Sequence, residues 1–130
     1  MLKAQGVDFN EAMVFGLASA LTFVYIPLVK VNGMPLISYR IPPKSIIKNV
    51  AKHLKVRLKI QKFRVPQAGQ DALDLALTEN KLVGLQTSVF WLPYFPPEMR
   101  FHFNAHNLIV YGKDHNDYLI SDPVFETVQR

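Results

Sequence analysis

The feature that most limits the fold of this chain is an eighteen-residue stretch without a charge, Ala12–Val29 (AMVFGLASALTFVYIPLV). Its length just reaches that of a membrane-spanning helix. Four small or helix-breaking residues, however, dilute its apolar character: Gly16, Ser19, Thr22 and Pro27. From Leu21 onward, β-branched and aromatic residues crowd the stretch, which favours a strand. It therefore predicts a buried helix followed by a strand, and no membrane span.

The same stretch does not have the pattern of a signal peptide. It lacks a basic region directly before it and a clear cleavage site. We therefore expect a cytoplasmic protein.

Residues beside this stretch predict where its elements begin and end. Asp8–Glu11 (DFNE) resembles a capping box and predicts a helix over about residues 9–20. Asn32-Gly33 lies between two apolar runs, which is typical of a hairpin turn joining strands over 22–29 and 34–40. Residues 1–5 have helix-forming side chains and stop at Gly6, a residue favoured just past a helix end. We expect the chain to begin inside a helix.

A basic region follows the predicted hairpin. No Asp or Glu occurs between Ala12 and Gln70, whereas ten Lys or Arg residues lie between Lys30 and Arg64. After Pro42-Pro43 we expect a helix over 42–55, with an apolar face formed by Ile46, Ile47, Val50, Ala51 and Leu54. Another face carries Lys44, Lys48, Lys52 and Lys55. Such a face is a solvated surface, or it binds an acidic protein, anionic lipid or nucleic acid.

The next segment, VRLKIQKF (56–63), alternates apolar and polar residues. The alternation predicts a strand with Val56, Leu58 and Ile60 facing inward, and basic side chains facing solvent beside the lysine helix.

The rest of the chain is rich in predicted strands. We expect a helix over about 67–78, a buried strand in LVGLQTSVFWL (82–92) and a proline-rich loop in WLPYFPPEM (91–99). Two apolar runs, 107–111 and 118–121, flank the polar turn GKDHND. With mixed helices first and strands last, residues 1–130 predict one α+β domain with a mostly antiparallel sheet.

Two polar residues of the last predicted hairpin suggest a site. His106 shares a strand face with Leu108 and Val110, and Asp122 continues the face of Tyr118 and Ile120. A connecting loop with an odd number of residues places His106 opposite Asp122, so that the carboxylate can orient the imidazole. An even loop without a bulge places them on opposite faces. A catalytic pair and two ordinary polar residues at a strand end both fit this pattern.

Other catalytic and metal-binding patterns find little support. His102 and His106 lie about 13 Å apart on an extended strand, which is too far for one metal ion. Gly16–Ala20 (GLASA) departs from the spacing of a serine-nucleophile elbow, and no phosphate-binding glycine loop occurs. We therefore expect no metal and no cofactor. The chain also has no cysteine, which removes a thiolate nucleophile.

Several stretches resemble a known family. NEAMVFGLASALTFVYIP (10–27), VGLQTSVFWLPY (83–94) and HFNAHNLIVYGKDHNDYLISDPVFE (102–126) are similar to the N-terminal domain of butirosin-biosynthesis protein H and its relatives. The resemblance implies a papain-like fold, similar to bacteriocin-processing cysteine peptidases. It also implies an acyltransferase that moves an acyl group from an acyl-carrier protein to an amine, in secondary metabolism.

By position, the resemblance makes His106 the catalytic base and Asp122 its orienting acid. The family's cysteine would precede the glycine that Gly6 matches, so we expect an N-terminally incomplete domain, inactive by itself. The alternative is a non-catalytic binding module that docks an acidic carrier protein through Lys44, Lys48, Lys52 and Lys55. Nucleic-acid binding ranks last because no reading motif accompanies the charge.

Overall fold

A computed structural model describes residues 2–31, 33–102 and 105–130. The chain divides into two compact units, Leu2–Ile60 and Gln61–Arg130. The described residues form three α-helices and two small antiparallel sheets with five strands in all. The predicted α+β class with antiparallel sheets is confirmed. Within the described ranges, no helix is long and apolar enough to cross a membrane.

The first unit begins with a short 3-10 helix, Lys3–Gln5, and the helix α1, Glu11–Leu17. Gly6 ends the 3-10 helix with φ +78°, as expected for a glycine in this position. The cap of α1 differs from the prediction. The Oδ1 atom of Asn10 accepts the Met13 N–H at 2.8 Å, whereas Asp8 forms an exposed ion pair with Lys3. The capping box at Asp8 was wrong because the next polar residue, Asn10, caps the helix instead.

The uncharged stretch folds as α1 and then the strand β1, Leu21–Val31, as predicted. β1 pairs antiparallel with β2, Met34–Arg40. Gly33 has φ +80°, which suits the predicted hairpin turn. Its neighbour Asn32 lies outside the described residues.

The helix α2, Pro43–His53, completes the first unit. A small core joins α1 and α2: Ala18, Ala20 and Val50 are buried, and they pack against Leu2, Val14, Phe15, Ile41, Ile46 and Leu54. Asn49 donates its side-chain amide to the Ala18 carbonyl at 2.8 Å, which ties α2 to the end of α1. Of the predicted apolar face, Ile47 is exposed and does not contribute to this core.

The predicted strand over 56–63 is absent. These residues are described and form neither a helix nor a strand, and Leu58 and Ile60 are exposed. A strand requires a neighbouring strand to accept and donate its backbone hydrogen bonds. Alternation of apolar residues was insufficient evidence because it does not supply that neighbour.

The second unit contains the helix α3, Pro66–Thr78, and a three-stranded antiparallel sheet. The strands are β3 (Val83–Thr87), β4 (His106–Asp114) and β5 (Asp117–Ser121), in the order β3-β4-β5. The buried apolar residues are Val89, Phe95, Leu108 and Val110.

The predicted strand over 82–92 ends early, at Thr87. Ser88 then begins a 3-10 turn, Val89–Trp91, and its hydroxyl accepts the Phe90 N–H. A second 3-10 turn, Pro97–Met99, interrupts the proline-rich loop.

Candidate active site

The hairpin of β4 and β5 decides whether His106 and Asp122 share a face. Asp114 pairs with Asp117, so the connecting loop has only two residues, His115 and Asn116. A two-residue loop is even, and an even loop without a bulge would place the two residues on opposite faces. The register shifts between Val110 and Gly112, where Tyr111 forms a bulge. This extra residue restores the parity of an odd loop.

The restored parity brings the predicted pair together. Ser121 pairs with Ile109, so the following residue, Asp122, lies level with Leu108, diagonal to His106 on the same face. Nε2 of His106 lies 2.6 Å from Oδ2 of Asp122, which is hydrogen-bond distance. The predicted contact between the two side chains is present, although His106 is not directly opposite Asp122.

Burial of this pair is uneven. The Asp122 side chain is 0% exposed, and the His106 side chain is 11% exposed. A buried carboxylate requires several hydrogen bonds to offset its lost hydration. The imidazole, in contrast, keeps an edge that solvent or a ligand can reach.

Two further donors hold the Asp122 carboxylate. The Tyr94 hydroxyl donates to Oδ2 at 2.9 Å, and the Val124 backbone N–H donates to Oδ1 at 3.0 Å. Each carboxylate oxygen therefore accepts a hydrogen bond, and these bonds fix the orientation of the carboxylate. An ionised carboxylate only accepts hydrogen bonds, so we expect a neutral His106 to carry its proton on Nε2 and its lone pair on Nδ1.

Aromatic rings enclose the pair. The buried Phe95 ring packs edge-on against the His106 ring at 5.4 Å between centroids, and it also meets Phe125 edge-on at 5.0 Å. Tyr94 packs against Phe125 as well. Burial, and then the hydrogen bond to Asp122, raise the pKa of Tyr94. The phenol therefore remains a donor over the whole ordinary pH range.

Tyr94 and Phe95 were not singled out from the sequence. Both lie in the proline-rich loop, whose composition indicates a turn and not a contact partner. The available signal was the pair of prolines flanking them, Pro93 and Pro96, which restrict the loop backbone.

The predicted basic face is present on the first unit. Lys44, Lys48 and Lys52 project from α2, Lys55 follows its end, and all four are exposed. Within the described ranges, none of these four lysines forms an ion pair with a carboxylate of the chain.

Two other histidines of the second unit, His102 and His115, lie away from this pair. His102 stacks on Phe90 with ring centroids 4.0 Å apart. His115 lies at the tip of the hairpin and contacts Asp114. Within the part of the chain that the structure describes, no group of three or more His, Asp or Glu side chains is placed to hold a metal ion.

A comparison with protein families decides the family membership. A family model described as butirosin biosynthesis protein H, N-terminal, matches residues 1–123. The chain belongs to this family. The membership links the domain to butirosin biosynthesis and thus to secondary metabolism. No curated protein and no solved structure matches the chain, so the papain-like architecture stays a prediction.

Proposed function

We propose that this butirosin-biosynthesis-protein-H-type domain carries the base half of an acyl-transfer site. His106 is the general base and Asp122 is the residue that orients it. The supporting observation is the 2.6 Å contact between Nε2 of His106 and the wholly buried Asp122 carboxylate. Burying an acid is costly, and two additional donors hold this one beside His106. Such an arrangement favours an orienting role over a chance contact on the surface.

The proposed chemistry uses the free ring nitrogen. Nδ1 of His106 takes the proton of a thiol, and the thiolate attacks the carbonyl carbon of an acyl thioester on a carrier protein. The carrier sulfur leaves and receives the proton from the imidazolium. An amine then attacks the acyl-enzyme and gives a proton to Nδ1, which passes it to the departing enzyme thiolate.

The attacking thiol must come from outside these 130 residues, since the chain has no cysteine. We therefore expect the chain alone to form no covalent acyl intermediate with a carrier-bound or small acyl thioester. Intact-protein mass spectrometry after incubation measures this directly. An acyl adduct on the 130-residue chain would contradict the proposal.

The role of His106 is tested in the product of the reading frame extended upstream of Met1, provided that it contains a cysteine. Replacing His106 with Gln should slow acylation about 10²–10⁴-fold, the usual contribution of a general base. His115→Gln is the matched control, because His115 is a 95% exposed histidine of the same hairpin with its own aspartate partner. Equal rates for the two variants would rule out His106 as the base.

A second candidate function is docking of an acidic carrier protein by the face of Lys44, Lys48, Lys52 and Lys55. The observation that favours it is the exposure of all four lysines without a carboxylate partner among the described residues. A row of unneutralised charges attracts an acidic surface, and the attraction weakens as salt screens it.

Charge reversal tests the docking function. Lys48→Glu with Lys52→Glu should weaken carrier binding at low salt, and wild-type binding should fall as salt rises. Lys81→Glu, in the other unit, is the control. Equal carrier binding by the double variant and the control would rule out docking by the lysine face. This result does not depend on the outcome of the acylation assays.

A further inference from the structure

A shallow cavity that is open to solvent lies in the second unit, outside the His106–Asp122 pair. It has a volume of about 440 Å³ and is lined by Phe90, Trp91, Pro93, Pro97 and Arg100. This volume lies in the range of small-molecule pockets. The proline-rich loop forms its walls, and the same loop supplies Tyr94 to the Asp122 carboxylate.

The cation of this cavity, Arg100, is held by two backbone carbonyls. Arg100 donates from Nε to the Phe95 carbonyl at 2.8 Å and from Nη2 to the Pro93 carbonyl. The guanidinium has five N–H donors, so donors remain for a ligand. Among the described residues Arg100 makes no ion pair with a carboxylate. A half-buried cation that only carbonyl dipoles balance favours an anionic ligand.

The aromatic side of the cavity is formed by Phe90 and Trp91, and the Trp91 ring is exposed to solvent. The Phe90 ring is stacked on His102 and meets the Trp91 ring edge-on at 4.9 Å and 83°. These contacts fix the two rings nearly perpendicular to each other. The Trp91 residue is nevertheless 72% exposed. An exposed indole held in place by neighbouring rings presents a flat apolar surface on which another ring can stack.

We propose that this cavity binds an aromatic carboxylate, with the ring against Trp91 and the carboxylate on Arg100. A positively charged amine is disfavoured because the described lining residues include a guanidinium and no carboxylate. The inference extends the proposed function by assigning a ligand class to the loop beside the His–Asp pair. The binding itself requires no acyl transfer, so each can fail without the other.

The test is an equilibrium titration of the 130-residue chain. Trp91 is the sole tryptophan, so its fluorescence reports occupancy of the cavity. The probes are phenylacetate, benzylamine and acetate, which separate the ring from the sign of the charge. We expect a saturable change with phenylacetate and much weaker responses to the other two. Equal binding of benzylamine, equal binding of acetate or no saturable response would each overturn the proposal.

Two variants test whether the carboxylate of the ligand binds at Arg100. Arg100→Gln should weaken phenylacetate binding at least about tenfold, the usual effect of losing a hydrogen bond to a charged group. Because Arg100 also holds the loop through its hydrogen bonds, the second variant keeps Arg100 unchanged. Pro97→Glu places an acid in the lining, and it should weaken phenylacetate and strengthen benzylamine. Unchanged affinities in Pro97→Glu would contradict the assignment even if Arg100→Gln disturbs the loop.

Discussion

At the scale of the residue, the most consequential side chain is Asp122. Its carboxylate is wholly buried and is held by His106, Tyr94 and the Val124 N–H. An ionised carboxylate only accepts hydrogen bonds, so we expect each of the three contacts to present a donor hydrogen to it. We therefore expect Asp122, and not solvent, to determine which ring nitrogen of His106 carries the proton.

Asp122→Asn should weaken that pattern. An amide presents one acceptor oxygen in place of two, so it cannot accept all three hydrogen bonds, and the preference of His106 for a proton on Nε2 should fall. The loss of charged hydrogen bonds should also lower the free energy of unfolding by about 1.5–3 kcal/mol. Long-range ¹H–¹⁵N spectra and urea denaturation measure the two effects. Asp114→Asn, on an exposed aspartate beside His115, is the control, and identical results for both variants would contradict the account.

At the scale of the element, the bulge in β4, more than the turn, determines whether His106 and Asp122 share a face. The hairpin closes with a two-residue loop, and only the unpaired Tyr111 brings the end of β5 onto the face of His106. Sequence reasoning made the contact conditional on an odd loop or a bulge, and the structure has an even loop with a bulge. A bulge depends on the pairing of two strands, so the residue pattern of one strand does not predict it.

Deleting Tyr111 should separate the pair. Without the extra residue, an even loop and an unbroken register place His106 and Asp122 on opposite faces. Tyr111→Ala keeps the residue count and should keep the contact. The tautomer of His106 measures both outcomes. A deletion variant with an unchanged His106 signature would show that the bulge does not determine the contact.

Asp74 of α3 provides a second link between elements, because it binds both strands of the hairpin. It accepts from Lys113 of β4 at 2.9 Å and from the Tyr118 hydroxyl of β5 at 2.8 Å. The hydrogen bond from Lys113, followed by that from Tyr118, lowers the pKa of Asp74. The same hydrogen bond with Asp74 is the main cause that raises the pKa of Lys113.

Asp74→Asn should therefore destabilise the protein only within a pH window. The lowered pKa of Asp74 contributes stability above its ordinary value of 3.8, and this is lost as pH falls through the folded-state value. The raised pKa of Lys113 contributes stability below 10.5, and this is lost as pH rises through its folded-state value. Urea midpoints across pH measure the difference from wild type. Asp71→Asn on the same helix is the control, and a pH-independent difference would contradict the linkage.

The sequence predicted elements well where two signals agreed. α2 and α3 follow prolines and carry helical periodicity, and both form at the predicted place. The segment 56–63 had alternation alone, and it forms no strand. Of the site, His106 and Asp122 could be found from spacing. Tyr94 and Phe95 could not, because their contacts depend on the path of a loop.

At the scale of the whole molecule, each compact unit contains a core of its own. Val50 is buried in the first unit, and Leu108 is buried in the second. The stability of each core can therefore be examined separately, and the His106–Asp122 pair lies in the second unit.

Leu108→Ala should cost about 2–5 kcal/mol of unfolding free energy, because it leaves a cavity beneath the sheet that carries His106. Amide exchange should quicken chiefly in β3, β4 and β5. Val50→Ala removes less volume, and it should quicken exchange chiefly in α1 and α2. The reverse distribution of exchange would contradict the assignment of the two cores.

The measurement that tests the central claim most directly is the tautomer of His106 in the wild-type chain. Long-range ¹H–¹⁵N spectra at about pH 9, where an ordinary imidazole is neutral, separate protonated from unprotonated ring nitrogens. We predict a proton on Nε2 and a lone pair on Nδ1 for His106, with His115 as the exposed reference in the same spectrum. A proton on Nδ1, or the averaged signals of a free histidine, would contradict the account.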